Sequence, residues 1–234
     1  MFVACNRMDL LDQPFAEKEP SQLADFLYHQ SLSDSFRRQF FAVPVIKDAK
    51  TDLVLCNTGV IMEYLAEQLE YGALNPRGEL QRWKARSLNA SIVDAVSEGH
   101  DAWHPVAKNQ SHDSQKVEAQ THIERYCTRL HRWLNYFEGH LRDNPNNVFS
   151  GAEGSSPSFN DRLHLVGSSL TYVDIALFHW LDGLHHQPPC DKVIADEAAY
   201  PCLTSFYRYV AELPLIKKHL QTRKEAFTQT GPIF

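Results

Sequence analysis

Val43-Pro44-Val45-Ile46-Lys47 is followed, after a polar turn, by Leu53-Val54-Leu55-Cys56-Asn57-Thr58-Gly59-Val60-Ile61. The pair reads as a strand, a hairpin, a second strand and then a helix that opens on Asn57 and Thr58. A proline at the head of a buried strand cannot donate to a sheet. It marks a place where the strand edge is left open, often through a cis bond. Asn-Thr at a helix start leaves backbone N–H groups and a hydroxyl pointing outward, the ingredients of an anion site. An open pairing edge beside a carboxylate-binding helix end suits a small anionic peptide. An ordinary hairpin with a capped helix is the competing account of the same residues.

The rest of the chain narrows the function classes. Its 234 residues are enough for two modest domains. It is 43% hydrophobic and 22% charged, which is the balance of a globular protein. Lys plus Arg number 23 against 29 Asp plus Glu, for a net charge of -6. No basic block follows a helix, so no nucleic-acid partner is expected. The five cysteines, Cys5, Cys56, Cys127, Cys190 and Cys202, are scattered and odd in number. That pattern points to a reducing, cytoplasmic setting and away from a disulfide framework or a zinc site. No run of about 18 apolar residues is present, so no membrane partner is expected.

Composition changes along the chain. The first third mixes short strands with helices, and Phe2–Leu11 and Ser21–Gln30 both read as helical. The helix after the hairpin carries Val60, Ile61, Tyr64, Leu65 and Leu69 on one face and ends near Tyr71-Gly72. From Glu79 onward only helices are expected. These are Leu80–Glu98, a proline-interrupted His100–Pro105, Ser114–Leu141 and a nearly apolar Thr171–Leu184, followed by helices opening at Tyr200-Pro201 and Leu213-Pro214. Ile123, Leu130, Trp133, Leu134 and Phe137 form the expected core stripe of the third. Ser150–Arg162 is a Gly/Ser/Pro-rich loop. The plan is a small α/β domain over 1–73 and an all-helical domain over 79–234, with a cleft between them.

A second marker is Leu170-Thr171-Tyr172-Val173-Asp174-Ile175. Thr171 and Asp174 have the spacing of a capping box, and Leu170 and Ile175 that of a hydrophobic staple. The expected role is structural. The order of this box after a Val-Pro strand resembles the cytosolic glutathione transferase superfamily over nearly the whole chain. Phe41–Lys47, His100-Asp101-Ala102-Trp103-His104-Pro105-Val106 and Gly231-Pro232-Ile233-Phe234 resemble a branch found in fungi and bacteria.

The resemblance implies an α+β two-domain glutathione transferase fold, with a thioredoxin-like α/β domain and an all-α bundle. It implies a backbone pairing of Val43, before Pro44, with the cysteinyl unit of glutathione. It places the γ-glutamyl group on Asn57 and Thr58, where the family usually carries Gln or Glu and then Ser. Arg37 or Arg38 is available for the glycyl carboxylate, with plain surface arginines as the alternative. His100, Trp103 and His104 fall on the wall of the pocket for a second substrate, with core or capping roles as the alternative. Their two histidines stand four apart, as in a zinc helix, but Pro105 ends the helix and no further ligand follows, so no metal is expected.

Glutathione is implied as co-substrate, small electrophiles as partners, detoxification as the setting and a homodimer as the assembly. The run Phe2–Leu11 resembles the family's first helix, so the first strand and the catalytic loop are expected upstream of Met1. No catalytic residue is then assigned within the chain, and it is expected to have little transferase activity as it stands. Cys5 is either a substitute for that residue or a buried structural thiol. Two function classes result. One is glutathione-dependent conjugation or reduction of small electrophiles. The other is a non-catalytic glutathione-binding or protein-interaction module on the same fold.

Overall fold

A computed structural model describes residues 44–48, 51–68, 73–107, 111–149 and 161–222. The chain divides into two compact units, Met1–Asn75 and Pro76–Phe234. The expected helices Phe2–Leu11 and Ser21–Gln30, the residues Leu69 and Tyr71-Gly72, and the final Gly231–Phe234 run lie outside the described residues, as does nearly all of the Ser150–Arg162 loop.

In the first unit, β1 (Val45–Lys47) pairs antiparallel with β2 (Val54–Cys56) in the register Val45 to Cys56, Ile46 to Leu55 and Lys47 to Val54. The helix α1 (Thr58–Gln68) follows and packs against β2. Ile46 and Ile61 form a small buried cluster, with Leu55, Tyr64 and Leu65 packed around it. The hairpin closes through Asp48 N–H donating to the Leu53 carbonyl at 2.9 Å.

The second unit is helical among its described residues. It contains α2 (Glu79–Trp103), a short 3-10 turn at His112–Gln115, α3 (Lys116–Arg142), α4 (Tyr172–His185), α5 (Cys190–Ile194), α6 (Pro201–Ala211) and α7 (Pro214–Thr222). The expected break between Glu98 and His100 is absent. Gly99 is buried within an unbroken α2. The helix ends instead at Pro105, because a residue before proline is driven out of the helical region. His104 accordingly has φ -125 and ψ 57.

The core sits where α3 and α4 meet their neighbours. Leu130, Leu134, Phe137 and Leu141 of α3 are fully buried. Each such side chain contributes about 1.5–3 kcal/mol on leaving water. Ile123 and Trp133, read into the same stripe, are half-buried. Trp133 lies at the edge because its ring N–H donates to Glu98 Oε2 on α2 at 2.9 Å. Arg129 grips the same carboxylate with two bonds of 2.6 and 2.8 Å. Those bonds hold the Glu98 carboxyl below its ordinary range.

Helix α4 is the buried helix that its composition announces: nearly every residue from Tyr172 to Leu184 is shielded from water. Its start is held by Asp174, which is fully buried. Asp174 Oδ2 accepts the Thr171 N–H at 2.7 Å and the Thr171 hydroxyl at 2.8 Å. Oδ1 accepts the Leu165 N–H at 2.7 Å, so the carboxylate also pins the incoming loop. Buried His164 lies with Nδ1 3.9 Å from Asp174 Oδ2. Burial pushes the Asp174 carboxyl from 3.8 up to about 7, against the pull of its three donors. Burial, and then Arg162, hold His164 below its ordinary value.

A second carboxylate caps a helix that it does not belong to. Glu138 of α3 is buried, and it accepts the N–H groups of Cys202 and Leu203 at 2.9 and 2.8 Å. These are the second and third residues of α6, whose first residue is Pro201. Proline has no N–H to satisfy there, and a carboxylate complements the positive end of the helix.

Asp174→Ala removes one acceptor from three donors. It is expected to cost about 1–3 kcal/mol of stability, read by urea denaturation. The Asp174 carboxyl is raised in the folded state, so its proton-linked contribution is full below about pH 4 and is lost as pH climbs through about 7. The stability gap between parent and variant is therefore expected to be wider at about pH 5 than at about pH 8. A gap that widens with rising pH would contradict this assignment.

Candidate functional site

The turn between β2 and α1 is built by Asn57. Its backbone lies in the left-handed region at φ 77, which asparagine tolerates better than most side chains. Asn57 Oδ1 accepts the Gly59 N–H at 3.1 Å and lies 3.5 Å from the Val60 N–H. The Asn57 carbonyl accepts the Ile61 N–H at 3.0 Å. The helix start is thus narrower as a binding site than its residue types imply. The amides of Gly59 and Val60 face the side chain of Asn57 itself. Among the described residues, the N–H and hydroxyl of Thr58 have no hydrogen-bond partner. Thr58 is half-buried and Asn57 exposed. The turn therefore presents one amide, one hydroxyl and the positive end of a three-turn helix.

Pro44 is half-buried and leads directly into β1. Val43, Arg37, Arg38 and Cys5 lie outside the described residues. One contributor escaped the sequence reading. Asp48, 3% exposed, accepts the Thr51 hydroxyl at 2.7 Å and the Tyr64 hydroxyl at 2.5 Å. It fastens the hairpin turn to α1 and so fixes where the Asn57 turn stands. The only sequence signal is an aspartate at a turn position, which is too common to single out.

His100, Trp103 and His104 stand in and just after the last turn of α2, in the second unit. His100 and His104 stack at 4.7 Å between ring centroids, and His112 meets His104 edge-on at 6.5 Å. Trp103 is buried and meets Tyr126 of α3 edge-on at 5.7 Å. The structure thus brings the two histidines together and buries the tryptophan against Tyr126. Gln115, which the sequence reading passed over, organises this corner. It is fully buried, and its Oε1 accepts the amides of Val106 and Ala107 at 2.9 and 3.3 Å. That orientation leaves Nε2 to donate to the Ala107 carbonyl at 3.0 Å and to His104 Nδ1 at 3.3 Å. Among the described residues, no group of three or more His, Cys, Asp or Glu side chains is placed to hold a metal ion.

Residues 100–223 match the family model described as glutathione S-transferase, C-terminal domain. The chain belongs to the glutathione S-transferase family. It is 26% identical over 187 residues to a glutathione S-transferase of Plasmodium falciparum, an alignment covering 80% of this chain and 73% of that protein. A glutathione transferase homolog from Lodderomyces elongisporus, solved with two GSH per subunit, superposes with a TM-score of 0.58. It shares 23% identity over 89% of this chain and 86% of its own. A monomeric glutathione S-transferase of the hookworm Necator americanus gives a TM-score of 0.54 at 16% identity, over 79% and 75% of the two chains. The glutathione transferase fold read from the Val-Pro strand and the capping box is the fold of the chain.

The Asn57 geometry predicts an ordering of variants. Asn57→Ala loses the cap and places an ordinary side chain at positive φ, an expected cost of about 1–2 kcal/mol. Asn57→Gly relieves the backbone and is expected to cost only about a few tenths of a kcal/mol. Thermal melts of the two variants check this. Equal losses would show that the φ value has no energetic weight.

Proposed function

We propose that this chain binds glutathione at the Asn57–Thr58 turn and directs it onto small electrophiles, by conjugation or reduction. The observation that carries the reading is the pair of unused polar groups on Thr58 at a helix N-terminus, one residue past a left-handed turn. In this reading the γ-glutamyl carboxylate takes the Thr58 N–H and hydroxyl. Asn57 serves by shaping the turn, since its side-chain oxygen faces the helix amides. The backbone of Val43, set by Pro44, pairs with the cysteinyl unit. Residues 1–73 act as the glutathione-binding domain and 79–234 as the helical domain.

Binding by the backbone and the helix end leaves the thiol as the reactive group. A free thiol has a pKa of about 8.5, so only a few per cent is thiolate near neutrality. Catalysis consists of raising that fraction and orienting the sulfur. No described residue is assigned to the sulfur. The stacked His100–His104 pair, with Trp103 beside it in sequence, is the proposed contact for the electrophile. Flat imidazole faces suit aromatic or unsaturated compounds. The family supports glutathione as co-substrate, and the known structure with two GSH per subunit supports it further. A cytoplasmic homodimer in detoxification is part of the same proposal. Among the described residues no helix is long and apolar enough to cross a membrane.

Thr58→Ala is expected to weaken glutathione binding by about 1–2 kcal/mol, the value of a hydrogen bond to a charged group. Thr58→Ser should restore most of it. Titration calorimetry on parent and variants decides the matter. Unchanged affinity in Thr58→Ala would remove this turn from the site.

A further inference from the structure

Two thiols from distant parts of the chain meet in the helical unit. Cys127 stands in the middle of α3, and Cys190 is the first residue of α5. Their sulfur atoms are 3.2 Å apart across 63 residues of sequence. Cys127 is half-buried, whereas Cys190 is fully buried. A disulfide bond is about 2.05 Å long, so closure asks the sulfurs to approach by only about 1.2 Å. The remaining described cysteines offer no such arrangement. Cys56 and Cys202 have no cysteine neighbour among the described residues. Cys202 lies against Glu138, and its thiol is pushed up to about 12 by burial and that carboxylate.

We propose that Cys127 and Cys190 form a reversible dithiol–disulfide pair oxidised by glutathione disulfide, with Cys127 as the attacking thiol and Cys190 as the resolving one. Exposure assigns the roles, because a dissolved disulfide meets Cys127 first and Cys190 is reached from within the protein. The hydrogen bond from the Cys190 thiol lowers the Cys127 thiol below its ordinary value, and with burial the same contact raises Cys190. A thiolate is the attacking species in such exchange.

The chemistry balances in two steps. Cys127 releases its proton to solvent, and its sulfur attacks one sulfur of glutathione disulfide. The S–S bond breaks, and the first glutathione leaves as a thiolate that takes up a proton. Cys127 then carries a glutathionyl group. Cys190 next releases its proton to solvent, and its sulfur attacks Cys127 Sγ. The bond to the glutathionyl group breaks, and the second glutathione leaves and is protonated. Two protein thiols are oxidised, and one glutathione disulfide is reduced to two glutathiones. Excess reduced glutathione runs the sequence backwards. Neither step uses the Asn57–Thr58 turn, so the inference goes beyond the proposed function.

The test incubates the full chain with glutathione disulfide near neutral pH, blocks the remaining thiols and maps peptides by mass spectrometry. The expected result is a Cys127–Cys190 cross-linked peptide that disappears on adding reduced glutathione. Cys190→Ser should stop at the first step and accumulate glutathionylated Cys127. Cys127→Ser should leave Cys190 as a free thiol. The Thr58→Ala protein should cross-link as the parent does, which separates this outcome from any failure of the glutathione site. Should either serine variant not fold, the parent's peptide map decides alone. Free Cys127 and Cys190 in the treated parent, or glutathionylated Cys127 without the cross-link, would overturn the proposal. Oxidation of Cys190 in a folded Cys127→Ser protein would overturn the assigned roles.

Discussion

The Asp174 carboxylate is the constraint on which the helical unit depends. It is buried, and two backbone amides and a hydroxyl donate to it. Burial opposes the ion while the donors favour it, and its proton affinity ends near neutrality. What the arrangement secures is a definite beginning for α4. That helix is apolar on nearly every side, and such a helix has no amphipathic preference to set its register. The clamp on Leu165 and Thr171 supplies the missing registration. Helices α2, α5 and α6 then pack against a cylinder whose rotation and starting point are already defined.

Two local features of the chain were legible before its structure was known, and for one reason. Thr171 with Asp174, and the two short strands leading into Asn57-Thr58, act on residues within a few positions of themselves. Spacing alone therefore reveals them. Asn57 was legible as a helix-start residue. Its positive φ, and the turning of its side-chain oxygen onto Gly59, are properties of the folded turn that residue type does not announce. Gln115 and Glu138 lay beyond reach. A buried glutamine that holds a loop, and a glutamate that caps a helix 64 residues downstream, leave no periodic trace. The break expected after Glu98 is absent, because α2 runs on through buried Gly99 and stops only before Pro105.

The two groups proposed for glutathione and its electrophile differ in how they are supported. At the Asn57 turn, a few short-range hydrogen bonds and the buried Asp48 anchor leave Thr58 available. At the His100 corner, one buried amide side chain holds His104, Val106 and Ala107 in place. Each is supported by a buried polar side chain, Asp48 in one and Gln115 in the other, that is hydrogen-bonded to neighbouring protein groups. Polar groups in that position keep neighbouring side chains in place without competing for a ligand.

Glu138 carries a consequence for how this unit acquires its structure. The acceptor for the first amides of α6 resides on α3, so α6 cannot complete its own first turn in isolation. Until α3 has docked, the amides of Cys202 and Leu203 must be satisfied by water, and the glutamate must remain solvated as well. Docking therefore desolvates donor and acceptor in the same event. Neither helix gains much from burying its half alone, and each gains when the other arrives. Such mutual conditionality makes a bundle assemble in an all-or-none manner instead of helix by helix.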